Sequence, residues 1–176
     1  MAITQKTTAK TKLTASSAQK YLSFEINEEM YAVEILDVKE IIAMMKFTKV
    51  PKMPTFVKGV INLRGLVIPI IDIRVKFELS EIEYNERTTI IIGIVEDSLI
   101  GFIVDKTADV LNITQEEMAP PPKFGTAIDT TFLKSMAKTA NGVVMIVNLM
   151  KIFSESELNS VKQIEKIKDI KTGEEK

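Results

Sequence analysis

Six consecutive apolar residues, Leu66 to Ile71, stand in "GVINLRGLVIPIIDIR" (59–74) between the pair Arg64-Gly65 and Asp72. A strand with one wet face alternates apolar and polar residues, so an unbroken run of this length marks a strand buried on both faces. It is far too short to cross a bilayer, as is the other strong run, Val143 to Val147. The chain must therefore supply apolar layers on two sides of one strand. Its 176 residues suit one domain or two intimately packed lobes. A chain of that size buries roughly 70% of the surface its unfolded form exposes and needs no metal or disulfide to hold a core.

The remaining segments read mostly as short strands separated by turns. Leu22, Phe24 and Ile26 alternate, then Tyr31, Val33 and Ile35; Asn27-Glu28-Glu29 between them makes the pair a β-hairpin. Val38, Ile41, Ile42 and Met45 recur at helical spacing and predict a short helix near 36–45. Strands follow at Val60–Leu63, Leu66–Ile73, Thr88–Val95, Leu99–Val104, Thr107–Ile113 and Gly142–Leu149, while "APPPKFG" excludes a central strand over 119–125. Ser154 and Glu157 have the spacing of a capping box, and Leu158, Val161, Ile164, Ile167 and Ile170 form one apolar stripe of a C-terminal helix. Whether that helix packs on the strands is not decided by its own pattern. Residues 1–18 contain Lys6, Lys10 and Lys12 but no acid and no apolar period, and read as a flexible tail; the body runs over 19–155 and the helix and tail over 156–176. Many short strands with little helix predict small antiparallel barrels or a sandwich. "GLVIPIIDI" and "GVVMIVNL" echo each other, as two related lobes would.

The chemistry is bounded by absences. With no His and no Cys, the chain has no Ser-His-Asp triad, no cysteine nucleophile and none of the usual zinc ligand sets. The seven glycines are too scattered for a phosphate-binding loop. A net charge of −1 gives no global pull toward nucleic acid. Nor do the aliphatic strands, with aromatics at 6% and no Trp, offer stacking platforms for a single strand. The N-terminus carries no apolar signal segment, so the cytoplasm is the expected compartment.

Arg64 is the residue that most invites a functional reading. Strand alternation puts it on one face with Asn62, and Gly65 permits a tight turn after it. It is either an exposed hairpin-end charge or the edge of a groove, oriented by a carboxylate. Glu34, Glu40, Asp72 and Asp105 are the candidates for that carboxylate. Asp72 and Asp105 each end an apolar strand, where capping a turn is the ordinary role. As a close pair in a concave pocket they would instead suggest a hydrolase. Val38, Ile41, Ile42, Met44 and Met45 exceed what one short core-facing stripe needs, and some of them would form a surface patch.

From Tyr21 to Phe153 the chain resembles the CheW family, the adaptor proteins of bacterial chemotaxis. The resemblance is carried by "VKEII" (38–42), "GVINLRGLVIPIIDIR" (59–74), "GFIVDKTADVLNI" (101–113), "PPP" (120–122) and "GVVMIVNLMKIF" (142–153), in that order. Asn148 departs from the pattern, standing where an acid is common. The resemblance implies a mostly β fold of two intertwined five-stranded SH3-like barrels, with no catalytic activity and no cofactor. It implies an adaptor joining a chemoreceptor's cytoplasmic tip to the regulatory domain of the histidine kinase CheA, in rings with other CheW-like domains, without entering the membrane or binding nucleic acid. By position, Val38, Glu40, Ile41, Ile42, Arg64, Val104, Asp105 and Val110 match a receptor-binding groove, with Asn62 and Gly65 forming the turn. A salt bridge between Arg64 and Glu40 is expected on the same ground.

Overall fold

Three of the two-residue hairpin turns share one geometry: Asn27-Glu28, Arg64-Gly65 and Glu96-Asp97. Each has both central residues at positive φ, between 46° and 85°. This is the turn whose twist matches that of the paired strands. The structure, a computed structural model, describes residues 18–121 and 131–174, except the side chains of 165–174. Its strands are β1 (Gln19–Ile26), β2 (Glu29–Glu34), β3 (Val38–Ala43), β4 (Val57–Leu63), β5 (Leu66–Asp72), β6 (Thr89–Val95), β7 (Ser98–Val104), β8 (Lys106–Ile113), β9 (Met118–Ala119), β10 (Leu133–Thr139) and β11 (Gly142–Val147). One helical turn, α1 (Ile73–Lys76), follows β5, and a long helix, α2 (Glu155–Glu174), follows the last strand. The expected N-terminal tail lies outside the described residues but for Ala18, as does Pro122.

The strands form two sheets, in the orders β8-β1-β2-β11-β10-β9 and β3-β6-β7-β5-β4. The second lobe is one continuous stretch, β3 to β7. The first is assembled from both sides of it, so the chain crosses between lobes twice, after β2 and after β7. Each sheet curls until its ends meet. In the second lobe Thr48 and Val60 exchange two backbone hydrogen bonds of 2.8 Å, joining the continuation of β3 to β4. In the first, β9 continues past β8 and pairs with β10. These are the two five-stranded barrels that the resemblance implies.

The echo between residues 65–73 and 142–149 is a true structural repeat. β5 and β11 each have one antiparallel neighbour and one parallel neighbour, β7 and β2 respectively. After β5 the Asp72 carboxylate accepts a hydrogen bond from the Arg74 amide at 2.9 Å, and Asn148 after β11 accepts one from Met150 at 3.0 Å. Even the amides correspond: Asp72 donates to the Phe56 carbonyl and Asn148 to that of Phe132. An amide in place of an acid at Asn148 leaves this capping intact, because only an acceptor oxygen is required.

Three apolar clusters explain the run of residues 66–71. Ile61, Ile68, Ile70, Ile90, Ile92 and Ile103 fill the second barrel. Tyr21, Ala32, Ile113, Ala137, Val144 and Ile146 fill the first. The largest cluster lies between the barrels, built from Leu22, Phe24, Ile26 and Val33 on one side and Ile71, Ile91, Phe102 and Val104 on the other. A central strand therefore has a barrel interior on one face and the shared layer on the other: in β5, Ile68 and Ile70 point inward and Ile71 outward.

The helix predicted near 36–45 is not there. A single 3-10 turn, Ile35–Asp37, leads into strand β3, which pairs antiparallel with β6. The apolar spacing misled because of a bulge. Val38 lies opposite Gly93 and Glu40 opposite Ile92, so one extra residue is inserted at Lys39. Val38 and Ile41 thereby share a face at a spacing of three, which imitates a helix.

α2 packs on the shared layer through Leu158, Val161 and Ile164, all buried. Each such burial stabilises by roughly 1.5–3 kcal/mol. The backbone continues helical past Ile167 and Ile170, whose side chains lie outside the described residues. The expected capping box is present: the Glu157 amide donates to the Ser154 hydroxyl at 3.2 Å, and the Glu157 carboxylate accepts from the Ser154 amide at 3.0 Å and from Lys76 at 2.9 Å. Burial alone would push the Glu157 carboxyl up, but those hydrogen bonds outweigh it and hold the carboxyl below the usual glutamate value of 4.5.

Two outcomes follow for stability. A Cβ at Gly59 would collide with the Thr48 carbonyl at the barrel seam, whereas one at Gly65 meets nothing within 4 Å and only the positive φ opposes it. Gly59→Ala will therefore lower the urea midpoint more than Gly65→Ala, whose cost is about 1 kcal/mol. A carboxyl depressed in the folded state contributes stability above its unfolded value and loses it as pH falls through the folded one. Glu157→Gln will thus cost about 1 kcal/mol at neutral pH, the ordinary size of a cap. The difference from wild type will shrink in melts taken progressively below pH 4.5.

Candidate functional site

The site begins with the β4–β5 turn. Leu63 and Leu66 pair directly, leaving Arg64 (φ 52°) and Gly65 (φ 85°) as the two turn residues. An arginine in the left-handed region costs about 1 kcal/mol. The Gly65 amide donates to the Asn62 side-chain oxygen at 2.9 Å, which fixes the turn that aims Arg64 outward.

Arg64 meets Glu40, and none of the other three candidate carboxylates: its guanidinium donates to the Glu40 carboxylate at 2.7 Å. β3 and β4 are the two ends of the second sheet, so this ion pair spans the seam where the barrel closes. The Arg64 side chain remains 74% exposed against 23% for Glu40, and so keeps donors free for another molecule.

Ile41 follows Glu40 on β3, and Val110 stands on the edge strand β8 of the other lobe. Ile41 is opposite Ile91, and Val110 on β8 is opposite Leu22; Ile91 and Leu22 both belong to the shared layer. Ile41 and Val110 are nevertheless 42% and 49% exposed, on the equivalent edge strands of the two lobes. Val38 packs half-buried against the same layer. Among the matched positions, Val38, Glu40, Ile41, Arg64 and Val110 are open to a partner.

The other three are not. Ile42 is opposite Ile90 and packs into the second barrel. Val104 is fully buried between the lobes, so it cannot touch a partner and acts only as the floor beneath the surface. Asp105 accepts hydrogen bonds from the Arg74 guanidinium and the Asn27 amide, both at 2.7 Å. Asp72 is likewise committed, to the Arg74 amide and to the Tyr84 hydroxyl at 2.7 Å. Burial, and then that hydrogen bond, push the Tyr84 hydroxyl far above its ordinary value, so it stays a donor. Neither aspartate lines the cleft of about 470 Å³ bounded by Phe47, Val57, Lys58, Glu81 and Tyr84. The geometry that a two-carboxylate hydrolase requires is not built around them.

Sequence reading missed Arg74, which is 7% exposed. The available signal was its place as the sole charge in "IRV" directly after a buried strand. It also missed the exposed Leu66 and Ile94, at the barrel end that carries the Arg64 and Glu96 turns.

The Arg64–Glu40 pair is too exposed to stabilise much. Arg64→Ala will change the unfolding free energy by less than about 1 kcal/mol. A larger loss in a urea titration would show that the arginine serves the fold and not a partner.

The family described as the CheW-like domain matches residues 20–157. The chemotaxis protein CheW of Klebsiella aerogenes is 34% identical over 148 residues, covering 84% of this chain and 89% of that protein. That of Bacillus subtilis is 35% identical over 133 residues, 75% and 85% of the two chains. The crystal structure of the scaffolding protein TtCheW from Thermoanaerobacter tengcongensis shares the fold with a TM-score of 0.73 and 34% identity, covering 80% of this chain and 95% of that one. With its motifs, its paired barrels and these relatives in agreement, the chain belongs to the CheW family.

Proposed function

We propose that this protein is a non-catalytic adaptor that couples the cytoplasmic tip of a transmembrane chemoreceptor to the histidine kinase CheA. The observation that carries the reading is the Arg64–Glu40 ion pair, exposed at a barrel seam beside the half-exposed Ile41. A receptor tip is a helical hairpin, and an amphipathic helix is held by an apolar strip with a charge at its edge. Val38, Ile41 and Val110 provide the strip. Arg64, oriented by Glu40, sets register and orientation more than raw affinity. Ile42, Val104 and Asp105 support that surface from within.

The kinase's regulatory domain has the same fold, so its contact with this protein joins barrel to barrel. Such head-to-tail contacts close into rings when the rotation permits, and other CheW-like domains can share them. Among the described residues no helix is long and apolar enough to cross a membrane; the adaptor works in the cytoplasm and reaches the receptor array through its partners. A barrel that binds oligonucleotide or oligosaccharide is not favoured, because no aromatic residue among those described is exposed to act as a stacking platform.

The test is co-precipitation of a soluble receptor-tip fragment and of the CheA regulatory domain with the purified protein. Wild type retains both. Arg64→Glu, which sets two acids against each other, is expected to keep its circular dichroism and its kinase-domain binding and to lose most receptor binding. Unchanged receptor retention by the folded variant would remove Arg64 from the interface, and failure of the wild type to retain either partner would overturn the adaptor reading.

A further inference from the structure

The side chain of Arg74 ends on three different pieces of the chain. Its Nε donates to the Ser80 carbonyl at 2.9 Å, one terminal nitrogen donates to Asp105 at 2.7 Å, and the other reaches the Asn27 side-chain oxygen at 3.5 Å. Ser80 belongs to the loop after α1 in the second lobe. Asp105 is the one residue between β7 and β8, where the chain leaves the second lobe for the first. Asn27 is in the β1–β2 turn of the first lobe. The first lobe also grips Asp105 directly: the Asn27 amide donates to its carboxylate at 2.7 Å, and its own amide donates to the Glu25 carbonyl at 3.1 Å. The side chains of Arg74 and Asp105 are only 8% and 19% exposed.

The shared apolar layer holds the lobes together, but hydrophobic attraction is non-directional and does not by itself fix an angle. A planar guanidinium with a carboxylate and two carbonyl-type acceptors does, because each hydrogen bond constrains direction as well as distance. A buried ion pair is weak evidence for stability, and in some proteins its role is instead to fix one arrangement.

We propose that Arg74 and Asp105 are positioning residues: they form the joint that sets the angle of one barrel on the other, and so the pose in which the adaptor presents its two partners to each other. This rests on the adaptor reading above. Neither residue touches a partner; each acts through the lobe it holds. On the second-lobe side, the segment carrying Ser80 is further tied by the Tyr84 hydroxyl, which donates to Asp72 at 2.7 Å.

The absence of cysteine allows a pair of spin labels to be introduced cleanly at exposed positions, Ala43→Cys on β3 and Lys138→Cys on β10, one in each lobe. In that background the distance distribution is expected to be single and narrow. Arg74→Lys and Asp105→Glu keep both charges but displace them. Each is expected to broaden or shift the distribution while preserving the circular dichroism. In unlabelled single variants, affinity for the receptor-tip fragment is expected to fall about tenfold, as when the competent pose is populated about one part in ten. Glu81→Gln, which removes only its exposed pair with Lys58, is expected to change neither. Variant distributions identical to the background would overturn the joint, as would displaced distributions with unchanged affinity. Should Arg74→Lys not fold, Asp105→Glu decides. If neither folds, the background decides alone, since a distribution already broad there overturns the proposal. A wild type that ignores the receptor fragment sinks the adaptor reading instead, and the joint then stands or falls on the distances.

Discussion

The layer of aliphatic and aromatic side chains between the two barrels is the constraint on which the rest of this structure depends. Each barrel has an interior of its own, but the largest cluster is the one they share. Central strands such as β5 and β6 must therefore be apolar on both faces, and polar residues are driven to edge strands, turns and barrel ends. The two chain crossings and α2 gather at the same layer. A protein built this way has little freedom in its middle and concentrates its variable chemistry at its rims.

Arg64 illustrates the consequence. Barrel closure brings β3 and β4 together, the opposite ends of one sheet, and only then can a turn residue after β4 meet an acid on β3. The close approach of Gly59 to Thr48 belongs to the same seam. A positive charge supported by a half-buried acid, as an exposed pair, contributes little to folding, which leaves it free for the recognition role proposed for it. Histidine and cysteine are missing from the sequence, and Asp72 and Asp105 are occupied by internal hydrogen bonds. What the molecule offers is shape and one oriented charge.

Much of this was legible beforehand. Hairpin turns, the doubly buried strand, the capping box at Ser154 and Glu157, and the echo between the two strong apolar segments all rest on local rules, and each is realised. β3 was misread, because a bulge at Lys39 shifts the pairing with β6 and brings Val38 and Ile41 to one face at a spacing that mimics a helix. Among the proposed groove positions, those on edge strands and in the turn proved accessible. The exceptions are Ile42, whose side chain turns from edge strand β3 into the second barrel, and Val104, which is fully buried, because which face of a strand is inside follows from where its neighbours lie.

By itself the sequence determined most of the strands, where they would turn, that no histidine-based triad, cysteine nucleophile or usual zinc site could be assembled, and which family the motifs belong to. These follow from side-chain identity and nearest-neighbour spacing. Only the tertiary structure decided that Glu40 and not another acid meets Arg64, that the C-terminal helix lies on the shared layer, and that Arg74 pins the two lobes together through Asp105. Those pairings join residues that are distant along the chain, and their partners are selected by the closure of each sheet and by packing one barrel on the other, which no local pattern encodes.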